Sequence, residues 1–197
     1  MRGDIAGMGA VKTNLALGQS ITNVAIDAGK AVSELLIEMK AKAVQASQEG
    51  LDTDSYTALH QEFTSLRAQI ESIVATAEFN GKNLIASAAT DLSVLSTVDG
   101  STIQVTTQSI DATTLAINTV ALSSATTAAT ALTAINSAIV RVSNALASLG
   151  SGAKRVDIQA EFTQKLMDIV KQGVGNLVDA DLASESANLQ AFQIKQQ

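Results

Sequence analysis

Apolar residues near the start of the chain recur at steps of three and four positions. This spacing predicts one long amphipathic helix from about Asp4 to Gln48, because residues three and four apart share a helix face. Gly50 suits the position just after a helix end. At about 1.5 Å per residue the helix would span roughly 70 Å, which indicates a rod. Its apolar stripe consists of Ile21, Val24, Ala28, Ala31, Leu35, Met39 and Ala43.

A second helix is predicted directly after the first. Asp52 to Ser55 is a cluster of residues that favour the N-cap position, and Asn80-Gly81 would end the helix. The short loop between two long helices indicates an antiparallel pair that packs along its apolar seams. The apolar positions of this helix alternate in steps of three and four, as in a heptad repeat: Tyr56, Leu59, Phe63, Leu66, Ile70, Ile73 and Ala77.

The middle of the chain changes character and becomes rich in Ser and Thr. Two β-prone runs, Leu92 to Leu95 and Thr102 to Val105, flank Asp99-Gly100. Asp-Gly between such runs is a strong hairpin signal. We expect this hairpin to be the only sheet, and the rest of the Ser/Thr-rich region to be solvated surface.

Helical spacing returns from about Ser123 to the end of the chain. Gly150 to Gly152 and Gly173 to Gly175 are weak points, since each glycine costs about 1 kcal/mol relative to alanine in a helix. We expect bends there, and a true break remains an alternative. The apolar stripe is Leu132, Ile135, Ile139, Val142 and Leu146, followed by Val156, Phe162, Leu166, Ile169, Val170, Val174 and Leu177.

Together these patterns predict a mainly α fold, an elongated antiparallel helical rod with one small β-hairpin region. We divide it into residues 1–86, the hairpin region 87–122 and residues 123–197, all parts of one composite domain. The core of the rod is predicted to be packed by Leu35, Met39, Tyr56, Leu59, Phe63, Leu66, Ile70, Ile73, Ile139 and Leu166.

Composition narrows the possible functions. The chain of 197 residues has no cysteine, proline or tryptophan and one histidine, which excludes disulfides, thiolate metal sites and cysteine nucleophiles. Missing proline suits long, uninterrupted helices. The net charge of −6 argues against nucleic acid and against anionic membranes as partners. We predict no enzyme activity, no cofactor and no metal, and we interpret His60 as a residue at a solvent edge or an interface.

Two sets of sequence motifs resemble those of a known protein family, and they follow one another in the same order as in that family. Ala43 to Ser47, together with Phe79 to Lys82, resembles the N-terminal conserved region of bacterial flagellins. Asn176 to Ser186, which runs on to Gln197, is similar to the C-terminal flagellin signature. The resemblance covers nearly the whole chain and is weakest in the Ser/Thr-rich middle. The very short middle is similar to that of alphaproteobacterial flagellins.

The resemblance implies a structural subunit of the extracellular flagellar filament that supports motility and is exported without a cleaved signal peptide. The family places its helical rod, the D1 domain, in the filament wall and its terminal D0 helices along the inner tube. This chain resembles D1 and lacks most of D0, so we expect the natural chain to continue at both ends. Self-assembly is expected to need those helices. An export chaperone and a filament cap are the other partners that the resemblance implies.

The resemblance also concerns a segment that a vertebrate Toll-like receptor reads in some flagellins. That motif aligns with Leu36 to Gln45. Receptor-stimulating flagellins carry arginine and glutamate at the positions of Glu38 and Ala41. Both are replaced here, so a planar bidentate donor is lost and a charge is inverted. We expect weak or no receptor activation.

Two other functions remain open from the sequence. One is a hook–filament junction protein with a related rod. The other is a cell-surface flagellin relative that captures an extracellular ligand such as a polysaccharide. Scarce aromatic residues argue against stacking on sugar rings, because aromatics are 3% of the chain and Tyr56 is the only tyrosine.

Overall fold

The computed structural model describes the backbone of residues 2–196, and their side chains except at 2, 179–184, 187, 192 and 194–196. It confirms the mainly α class, because three long helices are accompanied by only small two-stranded sheets. The last helix spans about 110 Å at 1.5 Å per residue. The elements in chain order are α1 (Arg2–Ala46), α2 (Thr53–Thr76), β1 (Glu78–Phe79), β2 (Lys82–Asn83), β3 (Leu92–Leu95), β4 (Thr102–Val105) and α3 (Ala125–Gln196).

The start of α2 is fixed by its N-cap. Asp52 Oδ1 accepts a hydrogen bond of 2.7 Å from the backbone N–H of Ser55. The bonds from Ser55 lower the pKa of the Asp52 carboxyl below its usual value, because they favour the charged form. From this cap α2 runs back antiparallel to α1, and the Lys42 ammonium lies 2.5 Å from a carboxylate oxygen of Glu62. Asp52 therefore begins α2 as the sequence predicts.

The rod has two halves, defined by what covers α1 and α3. In the helical half, α2 packs on the C-terminal part of α1, where Lys42 pairs with Glu62, and the N-terminal part of α3 packs along the same helix, where Leu146 lies against Gly29. In the hairpin half, the β3–β4 hairpin lies on the N-terminal part of α1, at Gly7 and Gly18, and on α3 from Gly152 onward. Leu95 N donates to Asn14 Oδ1 over 2.8 Å, and Gln159 Nε2 donates to Ser96 O over 2.8 Å. The hairpin is thus hydrogen-bonded to both long helices.

Glycines let the hairpin approach those helices closely. A Cβ on Gly18 would lie 2.6 Å from Val94 Cγ2, and a Cβ on Gly152 would lie 2.9 Å from Val105 Cγ1. Only a residue without a Cβ fits at such distances. The helix α3 nevertheless continues unbroken through residues 150–152 and 173–175. Gly152 therefore serves packing, whereas Gly150 faces open space, and neither pair breaks the helix.

Residues 107–122, called the strap below, correct the expectation of a merely solvated middle. The strap fills the space between α2 and α3. Arg67 Nη1 donates to the carbonyl oxygens of Ile117, Asn118 and Val120, with the shortest bond, to Asn118, at 2.8 Å. The buried apolar residues of the strap are Ile110, Ala112, Leu115, Ile117 and Leu122.

His60 also holds the strap. Its Nδ1 accepts a hydrogen bond of 3.2 Å from the backbone N–H of Leu122. The imidazole is half-buried at that position. From the other side of the strap, Arg141 Nη1 of α3 donates to Thr114 O over 3.0 Å. Polar side chains from two helices therefore position the segment that leads into α3.

The expectation of a single sheet is wrong, because two separate hairpins form. The β3–β4 hairpin forms from the two runs that the sequence predicts, and it pairs Leu92 with Val105. A second hairpin, β1–β2, follows α2 and turns at Asn80-Gly81. Asn80 has φ +52° and Gly81 has φ +73°, the left-handed values that a two-residue turn of this type requires. These two residues therefore form a hairpin turn, and α2 ends earlier, at Thr76.

Candidate interaction surface

Most of the residues predicted to pack the rod lie in or against one continuous core. Phe63 and Ile70 on α2 are fully buried, as is Met39 on α1, and Leu35 is 8% exposed. Leu166 is different, since it is 39% exposed. The remaining predicted residues are half-buried and pack against the core: Tyr56, Leu59, Leu66, Ile73 and Ile139.

The placement of Leu166 in the core is wrong because α3 turns a different face inward in the hairpin half. The buried positions there are Gly152, Val156, Thr163 and Met167. Small and polar residues occupy two of these four positions, so hydrophobicity alone pointed to the neighbouring face. The close approach of the hairpin to Gly152 requires this choice, because a larger side chain would push β4 away.

The outward face of α3 in the hairpin half carries an exposed apolar row, called the α3 stripe: Ile158, Phe162, Leu166 and Ile169. Their spacing of four, four and three keeps them on one helix face. Ile158 and Phe162 are each 56% exposed, and Ile169 is 67% exposed. A row of large exposed apolar side chains is typical of an interaction surface. The predicted apolar stripe included Phe162, Leu166 and Ile169 but not Ile158, and only the packing showed that this row faces outward.

A groove of about 290 Å³ lies beside the α3 stripe, at the end of the hairpin half. Its walls come from three parts of the chain: Met8 and Val11 on α1, Val98 in the loop between β3 and β4, and Phe162 on α3. Val98 is itself 51% exposed. The α3 stripe and this groove therefore form one continuous apolar region.

The surface between α1 and α2 is more polar. A shallow groove of about 540 Å³ there is lined by Glu38, Lys42, Glu62 and Leu66, among others. Glu38 and Ala41, the two positions that depart from the receptor motif, are both exposed on α1. Their side chains are therefore available to a binding partner on this face.

Among the described residues, neither a metal site nor a membrane-spanning helix finds support. Among the described side chains, no three His, Asp or Glu residues lie close enough together to hold a metal ion. None of the helices, over their described residues, has an apolar window long enough to cross a membrane. The imidazole of His60 is engaged by the strap, which the position of this residue in the sequence did not reveal.

Comparison with known families gives two matches along the chain. Residues 1–90 match the bacterial flagellin N-terminal helical region, and residues 132–197 match the bacterial flagellin C-terminal helical region. Between them lie β3–β4, the strap and the start of α3. The helices α1 and α2, the β1–β2 hairpin and most of α3 are therefore similar to flagellin regions.

Individual relatives and solved structures agree. Flagellin FljM of Caulobacter vibrioides is 45% identical over 191 residues, which are 96% of this chain and 70% of that protein. A flagellin of Brucella melitensis is 31% identical, covering all of this chain and 74% of its own length. The crystal structure of Bacillus cereus flagellin has a TM-score of 0.69 at 24% identity, over 76% of this chain and 88% of that one. A putative flagellar hook-associated protein from Vibrio parahaemolyticus has a TM-score of 0.71 at 16% identity, over 89% and 93%.

Proposed function

This chain belongs to the bacterial flagellin family, and from that premise we propose that its rod packs side by side with the rods of neighbouring subunits in the filament wall. The chain is a structural subunit of the flagellar filament, an extracellular structure that supports motility, and it is not an enzyme. The finer proposal rests on the α3 stripe, which leaves four large apolar side chains in solvent. Heterologous contacts that do not close into a ring generate helical filaments.

The expected free energy of the contact between the α3 stripe and a neighbouring rod indicates what this contact contributes to assembly. Complete burial of one large apolar side chain contributes about 1.5–3 kcal/mol relative to full exposure. The residues of the stripe are already partly covered, so each would gain less than this. Association also costs several kcal/mol of translational and rotational freedom, about 4–15 in total. We therefore propose that the stripe sets how the rods are aligned, while terminal helices of the family supply most of the assembly energy.

A substitution on the stripe tests this proposal. The protein is produced with flagellin terminal helices at both ends, and Ile169→Ser is compared with the parent by sedimentation and electron microscopy. Because Ile169 is exposed, the fold and its melting temperature are expected to stay unchanged. Filaments are expected to be fewer and shorter, since the lateral contact loses an apolar side chain.

Val140→Ser is the matched control. Val140 lies on the same helix in the helical half and is 59% exposed, but it is not part of the stripe. This variant is expected to assemble like the parent. Equal assembly by Ile169→Ser and the parent would contradict the proposed contact. If the parent, which carries the added terminal helices, formed no tubular filaments, the proposed role of the rod in filament assembly would instead be contradicted.

We further propose that the α1 surface at Glu38 and Ala41 does not activate the vertebrate receptor that some flagellins stimulate. Both side chains are exposed, so the replaced residues would meet the receptor directly. A reporter-cell assay is expected to give weak or no response. The double variant Glu38→Arg/Ala41→Glu, which restores the family residues, is expected to increase the response. A robust response to the parent would sink this proposal.

The remaining expectations are proposals from family membership. We propose an export chaperone and a filament cap as partners, and export without a cleaved signal peptide. One composite domain with segments 1–86, 87–122 and 123–197 is supported by a single core to which all three contribute. The likeness to the hook-associated protein, at 16% identity, concerns the fold alone. The comparisons do not favour that junction role, or capture of a polysaccharide, over the filament subunit.

A further inference from the structure

The segment Asn80-Gly81 combines a chemically reactive sequence with an exposed position. Asn80 is the only asparagine in the chain that is followed by glycine. Glycine has no side chain to shield its backbone nitrogen, and that nitrogen is the atom that can attack the neighbouring asparagine amide. The other asparagines precede larger residues, such as Thr119 after Asn118 and Ser137 after Asn136.

The surroundings of this pair leave it accessible. Asn80 and Gly81 are both exposed, and a Cβ on Gly81 would meet nothing within 4 Å. Among the described residues, none forms a hydrogen bond with the side-chain amide of Asn80. Water can therefore reach the amide carbon from solvent.

The backbone at this turn is held by little structure. The strands on either side have two residues each, Glu78–Phe79 and Lys82–Asn83. A two-stranded hairpin is marginally stable by itself, and short exposed ladders open locally at low cost. Such opening frees the Asn80 backbone from its left-handed conformation, so that its side-chain carbon can approach the Gly81 nitrogen.

We propose that Asn80 is a site of spontaneous deamidation in the folded protein. The Gly81 backbone nitrogen gives up its proton to solvent base and attacks Cγ of Asn80, so that a new C–N bond forms; the bond from Cγ to Nδ2 then breaks, and the side-chain nitrogen takes up a proton and leaves as ammonia. The product is a five-membered succinimide. Water then adds to one of its two carbonyl carbons and opens the ring. One opening leaves aspartate, and the other leaves isoaspartate, in which the main chain runs through the former side chain.

The structure also indicates how far the change would spread. Isoaspartate adds one carbon to the main chain, so the two-residue turn and the Phe79–Lys82 pairing would be disturbed. Beyond them, Asn83 Nδ2 donates to Val74 O over 2.7 Å, and Asn83 Oδ1 accepts from Ile85 N over 2.8 Å. These bonds tie the following segment to α2. The disturbance should therefore remain within the turn and add one negative charge to the surface.

Prolonged incubation of the purified protein in warm, mildly alkaline buffer tests the proposal. Peptide mapping by mass spectrometry is expected to show a gain of about one dalton at residue 80, with ammonia released in equal amount. Fragmentation that separates aspartate from isoaspartate should find both products. Asn118 and Asn136 serve as internal controls and should change more slowly. An unchanged Asn80, or conversion no faster than at Asn118, would overturn the proposal.

Gly81→Ala is the matched variant, because its methyl group hinders the attacking nitrogen while Asn80 stays in place. It is expected to slow conversion at residue 80 and to leave Asn118 unaffected. In a second experiment the parent is incubated unfolded in urea. Its rate of conversion at residue 80 is compared with that of the folded protein, and the ratio measures how far the folded turn slows deamidation. If conversion occurred only in urea, the folded hairpin would be fully protective, and the proposal for the folded protein would be wrong.

Discussion

The helical half and the hairpin half of the rod cover the same two helices by different means. In the helical half, α2 and the strap bury large side chains such as Phe63, Ile70 and Leu122. In the hairpin half, β3–β4 comes so close that Gly18 and Gly152 face Val94 and Val105. One half is filled by large side chains on α2 and the strap, whereas in the other a glycine on each long helix makes room for the buried side chains of Val94 and Val105. Different substitutions should therefore damage each half.

The difference also explains where the apolar surface lies. In the helical half, the large apolar residues of α2 have a partner helix. In the hairpin half, the inner face of α3 holds Gly152 and Thr163, and Phe162 and Ile169 lie outside. A thin covering element therefore leaves large apolar residues exposed, and these are the residues that we propose to contact other subunits. This is why the candidate assembly surface lies in the hairpin half.

The largest effect is expected from emptying the core of the helical half. Phe63→Ala removes a fully buried ring and should lower the free energy of unfolding by about 3–5 kcal/mol, because a cavity remains. Denaturant unfolding followed by circular dichroism measures this change. Phe79→Ala is the control, since Phe79 is 42% exposed and should matter little. Equal stability of Phe63→Ala and the parent would contradict the assigned seam.

In the hairpin half, added volume should be the damaging change. In Gly18→Ala the new methyl group would meet the stiff, β-branched Val94, and overpacking costs about 1–3 kcal/mol. The gain in helix propensity, about 1 kcal/mol, offsets part of this. We expect a net loss in thermal or denaturant unfolding.

Two companion variants sharpen that measurement. Gly9→Ala, on the same helix with open space at its Cβ, should stabilise the protein through helix propensity alone. The double variant Gly18→Ala/Val94→Ala should be less destabilised than the sum of its single variants, because the clash is removed. Strict additivity would show that the close approach does not limit this site.

A smaller effect, this time a gain in stability, is expected from a substitution on α2. Thr64 Oγ1 is buried with no hydrogen-bond partner among the described residues. Thr64→Val keeps the shape and removes the unsatisfied oxygen, so stability should rise by about 1 kcal/mol. Thr57→Val is the control, because the Thr57 hydroxyl donates to Thr53 O over 2.9 Å. A destabilised Thr64→Val variant would indicate that this hydroxyl has a partner in solution.

The smallest effect concerns the cap at Asp52 and depends on pH. Its pKa is lowered in the folded state, so the stability that it contributes is present above the ordinary value of 3.8 and is lost as the pH falls below it. Asp52→Asn keeps a capping oxygen without the charge. Thermal unfolding of both proteins at neutral and acid pH should show a smaller acid-induced loss in Asp52→Asn. Identical losses would exclude this contribution.

The helices could be predicted because their signals are local. The Asp52 cap and the repeat from Tyr56 to Ile73 specify α2 without reference to the rest of the chain. Asp99-Gly100 likewise predicted the β3–β4 hairpin. The β1–β2 hairpin was missed because Asn-Gly serves both as a helix stop and as a hairpin turn, and strands of two residues carry no periodic pattern.

The candidate surface was harder to predict than the fold. Period and hydrophobicity identified Phe162, Leu166 and Ile169 as one helical row, and the same pattern fits an inner or an outer face. Which face turns inward is decided by the element that packs against it. Here that element is the hairpin, whose Val105 side chain leaves room only for glycine at residue 152.

The sequence by itself determined the long helices, their antiparallel arrangement and the family, since each depends on local periodicity or on contiguous motifs. Only the tertiary structure decided the roles of the glycines, the strap and the α3 stripe. Gly152 looked like a weak point in a helix and is a contact with β4. The sequence placed His60 at a solvent edge or an interface and did not single out Arg67, and both side chains hold the strap. The physical reason is that long-range packing, unlike helix periodicity, depends on which distant segment arrives at each face.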